Sequence, residues 1–219
     1  MRNILLGLVA VTLATMAIFA LWPQIDLDVA RVFGGPDGFI GRTPLERAAR
    51  DFFRVFPFLV LAAFAALYGL RRFGVAVPYA PTGRGLAFII ATLALGPGLI
   101  VNLGLKDHAH RPRPVQTAEF GGKFEFRPWY RFDGQCRQHC SFVSGEVAQA
   151  FWMVAPASLA PPPLRAPAVS AALAFGVLTA LLRIAYGAHY LSDALLAALL
   201  MLIIVQGTRM LLFSDRDPS

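Results

Sequence analysis

The stretch Arg183-Ile-Ala-Tyr-Gly-Ala-His189-Tyr-Leu-Ser-Asp193 separates two strongly apolar segments, residues 168–185 and 191–213. Each segment is close to the ~20 residues that a helix needs to cross a bilayer. An arginine, a histidine and an aspartate are costly to keep at a membrane edge, so they indicate a functional site. His189 and Asp193, four residues apart, would share one helical face, where the carboxylate can hold the imidazole. Arg183 adds a planar fork of donors that suits phosphate.

The composition of the whole chain is that of a membrane protein. Of its 219 residues, 57% are hydrophobic and only 15% are charged, whereas about a quarter are charged in a soluble domain. Six apolar segments can be distinguished, at residues 4–22, 53–70, 86–105, 147–159, 168–185 and 191–213. We therefore predict an all-α polytopic membrane protein with six transmembrane helices in one bundle, an extracytoplasmic loop region and a single domain over residues 1–219.

Local signals predict how some of these segments begin and bend. The first segment is long enough to span and lacks a small-residue cleavage site, so we expect an uncleaved helix rather than a signal peptide. Pro97 should kink the third segment. Thr43, Pro44 and Glu46 predict a helix start with a capping box. The helix that begins there is either an interfacial helix carrying several arginines, among them Arg50, or an extension of the second span.

Two further polar stretches border the apolar segments. The run Lys106-Asp-His-Ala-His-Arg-Pro-Arg113-Pro ends the third segment, and Ser144-Gly145 opens the fourth. Free backbone N–H groups at a helix start, together with the helix dipole, favour an anion. Taken singly, each stretch is also compatible with an ordinary turn or helix cap. Together with residues 183–193 they describe one site that binds a phosphoryl group and attacks it with an imidazole.

The three stretches resemble, in order and spacing, the three signatures of the type 2 phosphatidic acid phosphatase family. The first is a lysine, six residues and Arg-Pro; the second is a Ser-Gly pair that opens a helix; the third is an arginine, five residues, a histidine, three residues and an aspartate. The matching residues are Lys106, Arg113, Pro114, Ser144, Gly145, Arg183, His189 and Asp193.

This resemblance implies a role for each matched residue. His189 would be the nucleophile that becomes phosphorylated, and Asp193 its orienting partner. Phosphate oxygens would be held by Lys106, Arg113, Arg183, Ser144 and the backbone around Gly145.

Glu146 departs from the family, which has at this position a histidine taken to protonate the leaving group. Two roles stay open for it. Glu146 is either a protonated general acid or the partner of an arginine, in which case the leaving group needs little protonation.

The resemblance implies a membrane-integral lipid phosphatase that works through a phosphohistidine, without a cofactor or a metal. Its substrate would be a lipid phosphate or pyrophosphate, such as undecaprenyl pyrophosphate, lipid A, phosphatidylglycerol phosphate or phosphatidic acid. Two alternatives remain. The protein could be a lipid phosphotransferase, or a degenerate member that only binds or transports anionic lipid.

Charge and topology bear on partners and location. The net charge is +7, and the positive residues concentrate near segment ends and in one loop, so we expect anionic lipids rather than nucleic acid as partners. The oligomeric state is left open. Six crossings place the three motifs on the face opposite the termini. Short loops on the terminal side carry basic residues and no acid, so that side is cytoplasmic by the positive-inside rule. We therefore expect an inner-membrane protein whose active site faces the periplasm.

The chain has two cysteines, Cys136 and Cys140, both in the loop that carries the expected site. A disulfide is plausible on an oxidising side of the membrane, and two free thiols are the alternative. Nearby histidines, His108, His110 and His139, follow no zinc-ligand spacing, so we expect no metal site.

Overall fold

The computed structural model describes residues 1–35, 38–105, 108–138 and 140–213, and most of them are helical. The helices are α1 (Arg2–Leu21), α2 (Gln24–Phe33), α3 (Pro44–Arg72), α4 (Gly83–Leu93), α5 (Gly145–Trp152), α6 (Val154–Ala157), α7 (Pro162–Ala185) and α8 (Leu191–Leu212). A two-residue hairpin pairs β1 (Gly34–Gly35) with β2 (Gly38–Phe39). The predicted helical membrane fold is confirmed at this level.

Five of the described helical stretches are long and apolar enough to cross a membrane: Arg2–Leu21, Pro44–Arg72, Gly83–Val101, Pro162–Ala185 and Leu191–Leu212. The fourth apolar segment of the sequence forms the two short helices α5 and α6 instead of one long helix.

The α5–α6 pair runs beside α8. At one end the Ser144 amide donates to the Asp193 carbonyl at 3.4 Å, and at the other the Arg209 guanidinium donates to the Ser158 carbonyl at 3.1 Å. The pair therefore follows α8 over most of its length. A sixth crossing stays a prediction.

The predicted local signals are present. Thr43 and Glu46 form a reciprocal capping box at the start of α3. Because α3 continues without a break to Arg72, the helix start is an extension of the second span, and the interfacial-helix alternative is wrong. After α4 the backbone widens into a π-helix over Ala94–Leu105. Pro97 lies inside this part and has no N–H to donate, so the predicted irregularity takes the form of a wider helix.

Helix α5 lies at the centre of the core. Its residues from Val147 to Trp152 are all buried. The Trp152 indole N–H donates to the Ile89 carbonyl at 3.0 Å and to the Thr92 hydroxyl at 3.1 Å, which joins α5 to α4. A helix held on all sides gives its first turn a fixed position, and that turn carries part of the site.

The loop between α4 and α5 packs over the link between α7 and α8. The Val115 amide donates to the Gly187 carbonyl at 3.1 Å. Gly187 has φ +66°, and a Cβ there would lie 2.5 Å from the Phe39 ring, so only glycine fits. Cys136 and Cys140 are joined in a disulfide, with their Cα atoms 5.6 Å apart.

Candidate active site

His189 lies in the link between α7 and α8 and is buried. Its Nδ1 is 2.7 Å from the Ser141 carbonyl oxygen. A carbonyl oxygen can only accept a hydrogen bond, so Nδ1 carries a proton, and in the neutral imidazole the lone pair is then on Nε2. This tautomer is the one that an attacking imidazole requires.

Asp193 lies close to His189 without bonding to it. Its Oδ2 is 3.9 Å from His189 Nδ1, beyond hydrogen-bond range. The expectation of a shared helical face is wrong, because α8 begins only at Leu191 and His189 precedes it. Asp193 instead accepts from the Tyr190 amide at 2.9 Å and from the Ser141 hydroxyl. Ser141 thus links the two residues, because its hydroxyl donates to Asp193 and its carbonyl accepts from His189.

Arg111, which the sequence analysis did not single out, holds Asp193 from the other side. Its guanidinium donates to Asp193 at 2.5 Å, to Ser192 at 2.8 Å, to Asp26 at 2.7 Å and to the Arg127 carbonyl at 2.7 Å. Burial alone would lower the Arg111 pKa, but the two carboxylates raise it above its usual value. A permanent buried cation therefore joins the first and third signatures.

Asp26 of α2 is the second anchor of this group. It accepts from the Ser192 amide at 2.8 Å and from the Ser192 hydroxyl at 2.6 Å. We call Arg111, Asp26, Ser192 and Asp193 the inner cluster. Nothing in the local sequence around Asp26 indicates this role, since its partners lie far along the chain.

A second group, which we call the outer cluster, consists of Glu146, Arg50 and Arg183. Arg50 grips the Glu146 carboxylate as a fork, with Nε 3.3 Å from both oxygens and Nη2 2.9 Å from Oε1. Arg183 Nη1 is 3.5 Å from the Glu146 Oε2. Of the two roles considered for Glu146, the geometry matches the pairing with arginine.

The Arg183 guanidinium is buried and is not fully hydrogen-bonded. Its Nε and Nη1 are shielded from solvent and make no hydrogen bond to any described residue. Buried donors of this kind are costly unless a ligand satisfies them. This part of the site is therefore suited to a further acceptor, such as a phosphate oxygen.

The remaining predicted residues lie around the start of α5. Arg113 is mostly buried, and burial lowers its pKa; the Arg50 charge acts in the same direction and Glu146 opposes it, so these groups lie within electrostatic range. Ser144 caps α5 with its hydroxyl 3.4 Å from the Val147 amide, and Gly145 is the first helical residue. Lys106 lies outside the described residues.

A comparison with known proteins decides the family. Residues 85–215 match the model of the PAP2 superfamily. The chain belongs to the PAP2 superfamily. As the resemblance implied, it is a membrane lipid phosphatase.

Curated relatives of this PAP2 protein align over nearly the whole chain. A lipid A 4′-phosphatase of Rhizobium leguminosarum is 33% identical over 87% of the chain and 88% of the relative. Enzymes of the same name from Rhizobium etli and Francisella tularensis subsp. novicida are 35% and 32% identical. They cover 87% and 92% of the chain and 80% and 91% of their own length. No solved structure matches the chain.

Two residues of the inner and outer clusters lie outside the part of the chain that matches the PAP2 model. Arg50 and Asp26 precede residue 85, where the match begins. Arg50 nevertheless bonds to Glu146, directly after Ser144-Gly145, and Asp26 bonds to Ser192, directly before Asp193. Family signatures alone therefore could not have found them. Within the described ranges no group of three or more His, Cys, Asp or Glu could hold a metal ion; metal independence stays a prediction.

Proposed function

We propose that this protein is a lipid A phosphatase that hydrolyses the phosphate monoester at the 4′ position of the sugar headgroup through a phosphohistidine at His189. The observation that carries the chemistry is a buried imidazole with its Nδ1 committed to a carbonyl, placed with a buried arginine that has unsatisfied donors. The substrate class rests on three relatives that carry this name and align over most of the chain.

Phosphate binding uses the cations around the start of α5. Arg183 and Arg113 offer forks of N–H donors to the non-bridging oxygens, and the first amides of α5 at Gly145 add the positive end of a helix dipole. These groups neutralise the charge that spreads over the phosphoryl oxygens in the transition state, which is the main task in phosphoryl transfer.

The first chemical step transfers the phosphoryl group to the imidazole. His189 Nε2 bonds to phosphorus as the bond from phosphorus to the sugar oxygen breaks. An alkoxide is a poor leaving group, so the sugar oxygen takes a proton as it departs. Glu146, which occupies the place of the family's acid, supplies that proton. Glu146 takes this proton from water when the two arginines bind the substrate phosphate and no longer hold its carboxylate.

The second step returns the enzyme to its starting state. Water attacks the phosphohistidine, the Glu146 carboxylate takes a proton from that water, and the bond from phosphorus to Nε2 breaks. Inorganic phosphate leaves, His189 is again a neutral imidazole, and Glu146 returns its proton to water as the two arginines pair with its carboxylate again. One water is consumed, and an alcohol and a phosphate are released.

A lipid substrate is supported by a cavity next to the site. The cavity has a volume of about 520 Å³ and reaches Gly145 and Glu146 at the start of α5. Its other walls are largely apolar and come from α3 and from α4 with its π-helical extension, for example at Phe58 and Ile90. An acyl chain there would lie beside a headgroup phosphate in the site.

The active site would face the periplasm, with the protein in the inner membrane. Arg71 and Arg72 end α3, and Arg165 lies in the first turn of α7. These arginines are at the opposite ends of the helices that carry Arg50 and Arg183, as the positive-inside rule requires of a cytoplasmic face. A cysteine placed at exposed Arg131 in a chain without its own cysteines should react in intact spheroplasts with an impermeant maleimide. Reaction only after permeabilisation would reverse the topology.

The function is tested with purified protein and a lipid A that carries both the 1- and the 4′-phosphate. We expect release of phosphate, and a mass spectrum of the product that lacks only the 4′-phosphate. The chain should carry an acid-labile phosphate after brief mixing with substrate. His189→Ala should lose both signals, with turnover reduced by about 10³-fold or more.

His108→Ala is the matched control, because this histidine is exposed and its Nδ1 bonds the Gly104 carbonyl at 2.8 Å. It should keep near-parental turnover. Phosphate that appears on a second lipid would identify a phosphotransferase. If the unsubstituted protein binds the lipid but releases no phosphate, the proposed enzymatic function is wrong.

A further inference from the structure

Arg50 reaches the site from a helix that carries none of the three signatures. It lies in the second turn of α3, 96 residues before its partner Glu146. Two nitrogens of the guanidinium, Nε and Nη2, donate to the two carboxylate oxygens. A two-point contact of this kind suits a carboxylate and a phosphate equally well, since both present two oxygens at similar spacing.

Glu146 is held between two arginines. Arg50 comes closest to Oε1 of the carboxylate, at 2.9 Å, and Arg183 to Oε2, at 3.5 Å. Both guanidinium groups also lie over the ring of Tyr186, with Cζ 5.9 Å and 5.6 Å from its centroid. The carboxylate therefore takes up the space between two cations that an anionic ligand would also favour.

The charges leave room for such a ligand. Among the described residues, the Glu146 carboxylate acts on the charges of Arg50, Arg113 and Arg183, while Asp51 acts on Arg50 and Asp193 on Arg113. A phosphate monoester would add negative charge beside three guanidinium groups that share the Glu146 carboxylate. Exposure also differs across the cluster: the Arg50 side chain is 30% exposed and that of Arg183 only 3%. An anion that arrives from outside meets Arg50 first.

We propose that Arg50 is a further phosphate-binding residue, and that Glu146 occupies part of the phosphate position while the substrate is absent. When the substrate phosphate binds, Arg50 and Arg183 pair with it instead of with the Glu146 carboxylate. The released Glu146 is then next to the bond to be broken. This inference rests on the proposed function, because it assigns Arg50 to the phosphate of that same site.

The simpler role for Arg50 is to position Glu146 and never to touch phosphate. The two roles differ when the carboxylate is absent. If Arg50 only positions Glu146, it has nothing to do in a Glu146→Gln protein. If Arg50 binds phosphate, it still contributes there. A double-mutant cycle on phosphate binding separates them.

The cycle uses the full-length protein in detergent and inorganic phosphate as the probe, with the dissociation constant measured by calorimetry. Arg50→Gln should weaken phosphate binding by about 10- to 100-fold, the contribution of a charge-assisted hydrogen bond. Glu146→Gln should tighten it, because the competing anion is gone. Arg50→Gln in the Glu146→Gln background should again weaken binding by about 10-fold or more.

Arg47→Gln is the matched control on the same helix, since Arg47 is one turn away and exposed. It should leave the dissociation constant unchanged. Arg50→Lys keeps the charge but loses the fork, so it should weaken binding by less than Arg50→Gln. If Arg50→Gln fails to fold, the cycle is run with Arg50→Lys, and a weaker constant in the Glu146→Gln background is still required.

Equal phosphate binding by Glu146→Gln and by the double variant would overturn the proposal. Absence of phosphate binding in Glu146→Gln would also overturn it, because that variant uncovers the arginines. Neither result removes the proposed function, which stands or fails on the phosphohistidine at His189. Conversely, a cycle as expected together with no phosphoenzyme would leave Arg50 as an anion-binding residue and reject the phosphatase mechanism.

Discussion

The inner and outer clusters are both built from arginine and carboxylate, but they differ in burial and in hydrogen bonding. In the inner cluster Arg111, Asp26 and Asp193 are at most 1% exposed, and every nitrogen of the Arg111 guanidinium donates. In the outer cluster Arg50 and Glu146 reach the surface, and Arg183 keeps donors unbonded. A saturated buried cluster can hold backbone in place, whereas an unsaturated one can exchange partners.

The inner cluster connects the loop of the first signature with the third signature. Arg111 belongs to the loop of the first signature, and Ser192 and Asp193 to the first turn of α8. Ser141 continues the network to the His189 imidazole. The position of His189, the proposed nucleophile, therefore depends on residues that are already hydrogen-bonded to one another in the absence of substrate.

The largest expected effect comes from Arg111→Met, which leaves two buried carboxylates without their cation. Removing one partner of a buried ion pair costs about 3–5 kcal/mol of the free energy of unfolding. Arg50→Met breaks the partly exposed outer pair and should cost about 1 kcal/mol or less. Thermal unfolding of both variants in the same detergent measures the difference. Equal losses would mean that the two clusters do not differ in the way their burial indicates.

A smaller effect is expected from Asp26→Asn, which keeps the shape of the side chain and removes its charge. Hydrogen bonds to a charged group contribute about 1.5–3 kcal/mol, so the free energy of unfolding should fall by up to that amount. Turnover should fall as well, because α8 loses an anchor, while the dissociation constant for phosphate should stay within about 2-fold of the parent value.

Asp28→Asn on the same helix is the control for Asp26→Asn. Asp28 is exposed and pairs with Arg31 at 2.7 Å, so stability should change by no more than about 0.5 kcal/mol. A large change in phosphate affinity in Asp26→Asn would indicate that the inner cluster takes part in binding.

The smallest effect on stability is expected from Glu146→Gln. The Glu146 carboxylate is partly exposed and faces an excess of positive charge, so its loss should change the free energy of unfolding by about 1 kcal/mol or less. The same substitution should reduce turnover strongly, since the amide cannot serve as the proton donor. Full turnover on a sugar phosphate, measured beside the unfolding curve, would reject the donor role and leave only the pairing with arginine.

Several local features followed from the sequence because their causes lie within a few residues. The capping box at Thr43 needs only the hydroxyl and the glutamate three residues on. Apolar length alone identified the five described stretches that can cross a membrane. The break of the fourth segment after Trp152 also has a local cause, because Pro156 has no N–H to donate to the Trp152 carbonyl and its ring crowds that carbonyl.

His189 and Asp193 show that sequence spacing alone does not predict a contact between two side chains. A separation of four residues places two side chains together only if one helix contains both. Here α8 begins between them, and the Asp193 carboxylate caps that helix by accepting from the Tyr190 amide. The two residues are still neighbours, but the bond to the imidazole comes from the Ser141 carbonyl.

The sequence by itself determined the membrane-spanning stretches, the three signatures and hence the family. Tertiary structure alone decided that Asp26 meets Arg111 and that Arg50 meets Glu146, across 85 and 96 residues of chain. The physical reason is that an ion pair between distant residues depends on how helices are placed and rotated against one another. Charge and spacing within each stretch leave that placement open, and only packing of the whole bundle fixes it.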